Sequence, residues 1–488
     1  MASNARQRLA VAPFLVILSA SVVLTQEAPG QVDTEPFRDG EWGHRQLGLE
    51  SAFPTDTTRE GVYAGPLRRL MSGKPKARQR AARELARIGS SALVPLVDAY
   101  FFMPTEARPD ALRLLEDLSG KKLGSRYRDW FMFAGSLTNL DTPPGYVAWK
   151  GELFSRIDPV YRRILSPGAT VKLRLREVQW GGVPLDGIPA IDDPQAVPAD
   201  TAVFMRDTDT VFGVRAGGEH RAYPVKVLSW HELLNDTVGG RPITLSFCTL
   251  CGSGILYEAV DESGDRLMFG TSGLLYRSNK LMFDRATLSL WSNLTGEAVV
   301  GRRAAEGAGL TILPMTLTRW DAWRQRHPDT TVMVPDPATA QRTGYRYVEG
   351  AADAARAGVE FPVWRQSDAL ERNALVYALH VNGEAKAYPL EKLRSERIVH
   401  DTLGGRRIVL VLDRASDAVR VYERGRLTFH PPDETPLRQL HAEDGSSWWI
   451  GEEGLAREGE ASELMPRVPG HVAFWFGWYA FYPETAVY

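Results

Sequence analysis

Residues 222–240, AYPVKVLSWHELLNDTVGG, align without a gap on residues 387–405, AYPLEKLRSERIVHDTLGG, and eight of the nineteen positions are identical. The match continues through Arg241, Ile243 and Leu245 against Arg406, Ile408 and Leu410. Further on, Trp320, Trp323, Pro328 and Thr330 fall opposite Trp475, Trp478, Pro483 and Thr485, with the offset reduced from 165 to 155. A self-match of this length signals a repeated structural unit. Short β-type runs punctuated by Gly-Gly, Asp-Gly and Pro surround it: VKLRLREV, AVFMRD, TVFGVR, PITLSF, GILYEAV and RLMFG. The expectation is an α+β fold in which two divergent copies of one strand-rich α+β domain occupy residues 185–335 and 365–488.

The two aligned segments separate scaffold from chemistry. Both keep Tyr-Pro at the entry to a helix and Asp-Thr-x-Gly-Gly before the next strand, where glycine supplies positive φ. By contrast His231 faces Glu396, Glu232 faces Arg397, Cys248 faces Asp413 and Cys251 faces Ser416. The second copy also lacks any counterpart of TSGLLYRSNKLMFDR, residues 271–285. The fold therefore survives without the histidine and the thiols. A helix predicted over 225–234 sets Val227, His231 and Leu234 on one apolar face, and the strand PITLSF ends at Cys248. A helix packed on that strand brings the imidazole toward the Cys-Thr-Leu-Cys-Gly loop.

Three readings of this constellation stay open. A structural disulfide closes a loop so short that the chain-entropy model gives only about 2 kcal/mol. A metal site uses Cys248, Cys251 and His231 as a Cys₂His set for copper or zinc, with Glu232, Met268 and Met282 as further ligand candidates. A thiol–disulfide oxidoreductase uses the Cys-x-x-Cys spacing, which lowers the first thiol's pKa, and a nearby imidazolium lowers it further. GSGILYEAV after the second cysteine reads as a strand, unlike the helix of a thioredoxin. The 270–285 stretch is read as a polar substrate loop beside the site, with Ser272, Arg277, Asn279, Asp284 and Arg285 available to hold a small polar molecule. Its Gly-Thr-Ser-Gly is not a nucleophile elbow, and the chain has no P-loop, dinucleotide fingerprint or His-Glu-x-x-His motif.

Outside the repeat, Arg6 and Arg8 precede an apolar run from Leu9 to Leu24, and Ser19 and Ser21 offer a small-x-small cleavage site. Residues 1–31 are read as a signal peptide or an uncleaved N-terminal anchor, so the body of the protein is exported, in the periplasm or otherwise outside the cytoplasm. Residues 60–165 are read as a helical-repeat-like module, with Pro75 as a start and Gly89 and Gly120 as stops. Between Pro66 and Ile88 stand eight Lys or Arg and one acid, Glu84, a stripe suited either to solvent or to an anionic membrane surface. The 488 residues carry 58 basic and 60 acidic side chains, which gives no reason to propose nucleic acid as a partner. Hydrophobic residues at 44% and charged residues at 24% exclude disordered and polytopic membrane classes. Two cysteines exclude a disulfide framework.

Taken with Ser-Phe-Cys-Thr-Leu-Cys-Gly, Phe-Gly-Thr-Ser-Gly-Leu-Leu-Tyr-Arg-Ser-Asn, Met-Phe-Asp-Arg and the closing Ala-Phe-Trp-Phe-Gly-Trp-Tyr-Ala-Phe-Tyr-Pro-Glu-Thr, the chain resembles the domain-of-unknown-function 3179 family of bacterial and archaeal proteins over about 185–488. The resemblance implies that Trp230, His231, Glu232, Cys248, Cys251, Ser272, Asn279, Asp284 and Arg285 occupy signature positions, and it implies no activity. Thr249 stands where that family's pattern has proline, which leaves metal and redox chemistry both available. The functional expectation is an exported protein with a copper or zinc Cys₂His site. It is either a metalloenzyme for a small polar molecule or a non-catalytic metal-handling or binding protein that exchanges its ion with a donor or acceptor protein. The thiol oxidoreductase stands as the alternative enzyme.

Overall fold

The computed structural model describes residues 56–72, 74–137, 142–351, 361–431 and 436–488. The predicted signal segment lies outside them. Among the described residues no helix is long and apolar enough to cross a membrane. The protein is mixed α+β, with a helical N-terminal region followed by strand-rich sheets.

The helices Ala64–Ser72, Pro75–Ile88, Leu93–Phe101 and Arg108–Ser119 begin and stop where the sequence punctuates them. Pro75 opens the second at its first turn, and Gly89 and Gly120 end the second and fourth with φ of 75° and 67°. Tyr127–Ser136, Tyr146–Phe154 and Tyr161–Ile164 follow. Their apolar faces form one core that runs on into the first strand-rich region. Inside this module Lys150 and Asp98 form a buried ion pair at 3.2 Å, and the Tyr146 hydroxyl donates to the same carboxylate.

In the first strand-rich region, Thr210–Ala216 and Glu219–Pro224 form a hairpin flanked by Met315–Arg319 and, in parallel, by Thr331–Met333. A second sheet runs Thr311–Leu313, Ser253–Glu258, Arg241–Cys248, Leu233–Val238, Ile191–Asp192. The second region repeats the pattern: Leu375–Val381 and Glu384–Pro389 are flanked by His471–Phe474 and, in parallel, by Ala486–Val487. Ile398–Leu403, Arg406–Asp413 and Ala418–Glu423 form the companion sheet. Registers coincide as well, with Phe212 opposite Tyr223 and Tyr377 opposite Tyr388. The residues shared by the two segments make the same hydrogen bonds. Tyr223 donates to Asp236 at 2.7 Å and Tyr388 to Asp401 at 2.8 Å, while Trp323 donates to Thr330 and Trp478 to Thr485, both at 2.9 Å.

Several local expectations are corrected. The helix predicted over 225–234 ends at His231. Glu232 turns the chain at φ +60°, and Leu233–Val238 is a strand paired with Arg241–Cys248. Seven residues suffice for the helix because the Leu-Leu-Asn-Asp segment gains ladder bonds on both sides, and tertiary pairing overrides helical periodicity. Asp236 accordingly lies within that strand, and the reversal is made by Gly239 and Gly240 at φ 52° and 75°. In VKLRLREV only Val178 enters a strand, and AVFMRD forms none. The stretch 270–285 is not a loop. It is the hairpin Phe269–Tyr276 and Asn279–Asp284, turned by Arg277 and Ser278 at φ 51° and 63°.

His471, on the strand that flanks the second hairpin, is buried, packs edge-on against Trp478, and its Nε2 has no hydrogen-bond partner. Burial holds its imidazole down to about 4, against about 6.5 when unfolded. The unfolded chain then binds the extra proton between those values, so stability is full above about pH 6.5 and falls as pH drops toward 4. The expected loss is up to about 3 kcal/mol from this residue. Urea unfolding of His471→Phe at pH 7.5 and pH 5 should show a smaller drop than the parent, and an equal drop would remove His471 as its source.

Candidate functional site

The strand Arg241–Cys248 delivers Cys248 to its end, a two-residue turn follows, and Cys251 returns toward the next strand, so both thiols lie on the inner side of the Cys-Thr-Leu-Cys loop. Both cysteines are free and buried. Cys251 Sγ lies 3.0 Å from the Ser278 carbonyl oxygen, and Cys248 Sγ lies 3.9 Å from the same oxygen. That carbonyl is presented by the Arg277–Ser278 hairpin turn, so the segment absent from the second region reaches the dithiol through its backbone.

Lys280 is the neighbour that sequence reasoning missed. It is the second residue of Asn279–Asp284, it is buried, and its ammonium donates to the carbonyl of Glu232. The same carbonyl accepts from the Phe247 amide at 2.8 Å. Burial pushes the Lys280 ammonium down to about 8, against the opposing attraction of Glu232 and Cys248. Burial also pushes the Cys248 thiol up and the Glu232 charge adds to this. A hydrogen bond from Cys251, together with the Lys280 amide and ammonium, outweighs both and leaves Cys248 below the ordinary thiol value. Cys251 is driven well above it by burial and by the neighbouring Cys248 sulfur.

The second strand-rich region covers the pair. The Phe474 amide donates to the Cys251 carbonyl at 2.8 Å. A Cβ on Gly477 would lie 2.8 Å from Cys251 Cβ and 3.2 Å from its sulfur, so only glycine fits there. Arg277 ties the hairpin turn to the same strap by donating to the Ala480 carbonyl at 3.1 Å.

The other predicted residues have structural partners. His231 is buried on the inner face, and its Nδ1 donates to the Pro189 carbonyl at 2.8 Å, so Nε2 of the neutral ring accepts from the Tyr347 hydroxyl at 2.6 Å. Burial lowers its pKa, which keeps the ring neutral. Both ring nitrogens are therefore engaged away from the thiols. Glu232 Oε1 accepts from Thr249 at 2.9 Å. Among the described residues no group of three or more His, Cys, Asp or Glu converges to hold a metal ion. Met282 is buried in the core, in the strand of Lys280.

Ser272 donates to the Leu281 carbonyl at 2.6 Å within the hairpin. Arg277 is fully buried against Glu177 at 2.7 Å. Asp284 accepts from Thr287 and from the Trp291 indole at 3.0 Å. Arg285 pairs with Asp192 at 2.6 Å on the surface. Asn279 approaches the dithiol: it donates to Ser253 Oγ at 3.3 Å and accepts from Asn293 at 2.9 Å, and its side chain acts on Cys251. In the second region Ser416 donates to Asp413 at 3.1 Å, so a hydroxyl–carboxylate pair stands where the first region has its thiols.

Residues 185–485 match a protein family described as a protein of unknown function (DUF3179). No curated protein and no solved structure matches the chain.

Proposed function

Because the chain belongs to the DUF3179 family, which carries no assigned activity in its description, we propose from the site itself that the protein is a thiol–disulfide oxidoreductase. Cys248 is the attacking thiolate, Cys251 the resolving thiol and Lys280 the buried cation that stabilises the first and carries the proton. The observation behind this reading is a pair of free, buried thiols set side by side at the Ser278 carbonyl, in the same hairpin as the buried ammonium of Lys280.

In the forward direction the segment 474–480 that covers the buried pair moves aside, and Cys248 sulfur attacks one sulfur of a substrate disulfide. The substrate S–S bond breaks, a mixed disulfide forms, and the departing thiolate takes a proton from Lys280. The neutral amine then accepts the proton of Cys251. Cys251 attacks Cys248 sulfur, the mixed disulfide breaks, and the second substrate thiolate takes that proton. Two electrons pass to the substrate and the Cys248–Cys251 disulfide remains.

A second reading keeps the metal but not the histidine. The two soft sulfurs flank one carbonyl side by side, a donor set that suits two-coordinate Cu(I), with Lys280 offsetting the negative charge of two thiolates. The protein would then hand copper to a partner without turnover. We also propose that residues 185–335 and 365–488 are divergent copies, the second having lost its thiols, and that the apolar segment Leu9–Leu24 exports the chain.

The test is equilibration of the purified protein in glutathione buffers of graded potential, followed by alkylation and mass spectrometry. Both thiols should convert together in one two-electron step between about −300 and −120 mV. Thiols that stay reduced throughout, in protein that carries one copper per chain lost in Cys248→Ser, would replace the redox reading by the copper one.

A further inference from the structure

The helix Pro75–Ile88 buries Ala81 and Leu85 against its neighbours. At 100° per residue, Lys76, Arg80, Arg83 and Arg87 then fall within an arc of about 60°, on the side opposite Leu85. All four are exposed. They stand at i, i+4, i+7 and i+11 along about 16 Å of helix. The cations that do find partners point elsewhere: Arg78 pairs with Asp110 at 3.0 Å, and the one acid of the helix, Glu84, is taken by Arg69. No ion pair among the described residues engages the four. Eight of the chain's 58 cations but one of its 60 anions lie in residues 66–88, so the positive charge is concentrated here in a chain of net charge −2.

We propose that this stripe is a docking surface for an anionic membrane, and that it lays the helical module on the lipid headgroups. Four like charges held in a row repel one another and cost stability, and an opposing negative surface relieves that repulsion. The residues flanking the stripe, Ala77, Gln79, Glu84 and Ala86, include no large apolar side chain, and Glu84 is taken by Arg69. The contact is therefore electrostatic at headgroup level, without insertion, and salt screens it. The membrane is the occupant favoured because the same chain places Arg6, Arg8 and the apolar run Leu9–Leu24 ahead of this module, which brings its N-terminal side to a bilayer.

The experiment is co-sedimentation of the full chain with phosphatidylcholine vesicles, with and without about one third phosphatidylglycerol, at low and high salt. The expected result is binding that needs phosphatidylglycerol, that high salt abolishes, and that Arg80→Gln/Arg83→Gln weakens at least about tenfold. Both changes lie on the solvent side of the helix, and circular dichroism of the variant checks that it folds as the parent does. Equal binding to neutral vesicles would assign the affinity to the apolar segment and overturn the proposal. Absence of binding to anionic vesicles at low salt, or an unchanged affinity in the variant, would overturn it as well.

Discussion

Glu452→Gln is expected to lower the unfolding free energy by about 3–5 kcal/mol, the usual cost of removing one partner from a buried ion pair. The carboxylate accepts from Arg420 at 2.6 and 2.9 Å, from Arg467 at 2.7 Å and from Thr316 at 2.7 Å, and His327 Nε2 stands 3.4 Å away. Thr316 and His327 come from the first strand-rich region and the two arginines from the second, so this carboxylate joins the regions. Arg467 adds a bond to the Met315 carbonyl at 3.2 Å. Glutamine keeps the shape but removes the carboxylate charge that the two buried guanidinium groups share. Burial alone pushes the Glu452 carboxyl up, yet Arg420, His327 and Arg467 hold it well below the usual range. Its folded pKa lies under the unfolded value of about 4.3, so its contribution is complete above that pH and is lost as pH falls below it. Urea unfolding at pH 7 should therefore show the full difference, and the difference should shrink under acid conditions. The apolar set Glu452→Leu/Arg420→Met/Arg467→Met should recover much of the loss. A Glu452→Gln variant with the parent's midpoint would mean that the network adds nothing to stability.

Lys280→Met is expected to slow alkylation of Cys248 at pH 7, because loss of the ammonium raises the thiol pKa and each unit of thiol pKa changes the thiolate fraction tenfold. Burial already favours the neutral thiol, and the Lys280 charge is one of the few interactions on the other side. Methionine fills a similar volume, so lost packing is small. The pH profile separates charge from packing. With the ammonium gone, the midpoint for alkylation should move to higher pH while the limiting rate at high pH stays the same. Lys280→Arg should retain part of the effect. An unshifted midpoint would remove Lys280 from the chemistry. Cys248→Ser should abolish exchange with a disulfide substrate altogether, whereas Cys251→Ser should halt it at the mixed disulfide.

Much of the scaffold was readable from local chemistry. Proline at the first turn and glycine in the left-handed region punctuate helices whatever surrounds them, and Pro75, Gly89 and Gly120 do so here. The shared Tyr, Asp, Trp and Thr positions pointed to a common scaffold, and they form matching hydrogen bonds in both regions. The helix read over 225–234 overextends the observed Val225–His231 because Leu-Leu-Asn-Asp continues a helical period equally well. Only its pairing with Arg241–Cys248 makes it a strand. Lys280 gave a faint signal, a lone cation between Asn279 and Leu281 in a strand otherwise buried. A strand residue of that kind ordinarily faces solvent, and nothing within its neighbourhood in sequence says that Glu232 waits opposite.

The sequence by itself determined the class of fold, the helix ends marked by Pro75, Gly89 and Gly120, the matching positions of two regions and the location of the two thiols at the end of a strand. These follow from spacing, from backbone freedom at glycine and proline, and from the period of apolar residues, all of which act within a few residues. Tertiary structure decided the company each side chain keeps. His231 faces inward as its helix position requires, but Pro189 and Tyr347 arrive there from 42 and 116 residues away. The thiols are met by Lys280 and the Ser278 carbonyl from the hairpin and by Gly477 from the other region. Such convergence depends on long-range packing and desolvation, which depend on the whole chain and leave no periodic trace in any short stretch of it.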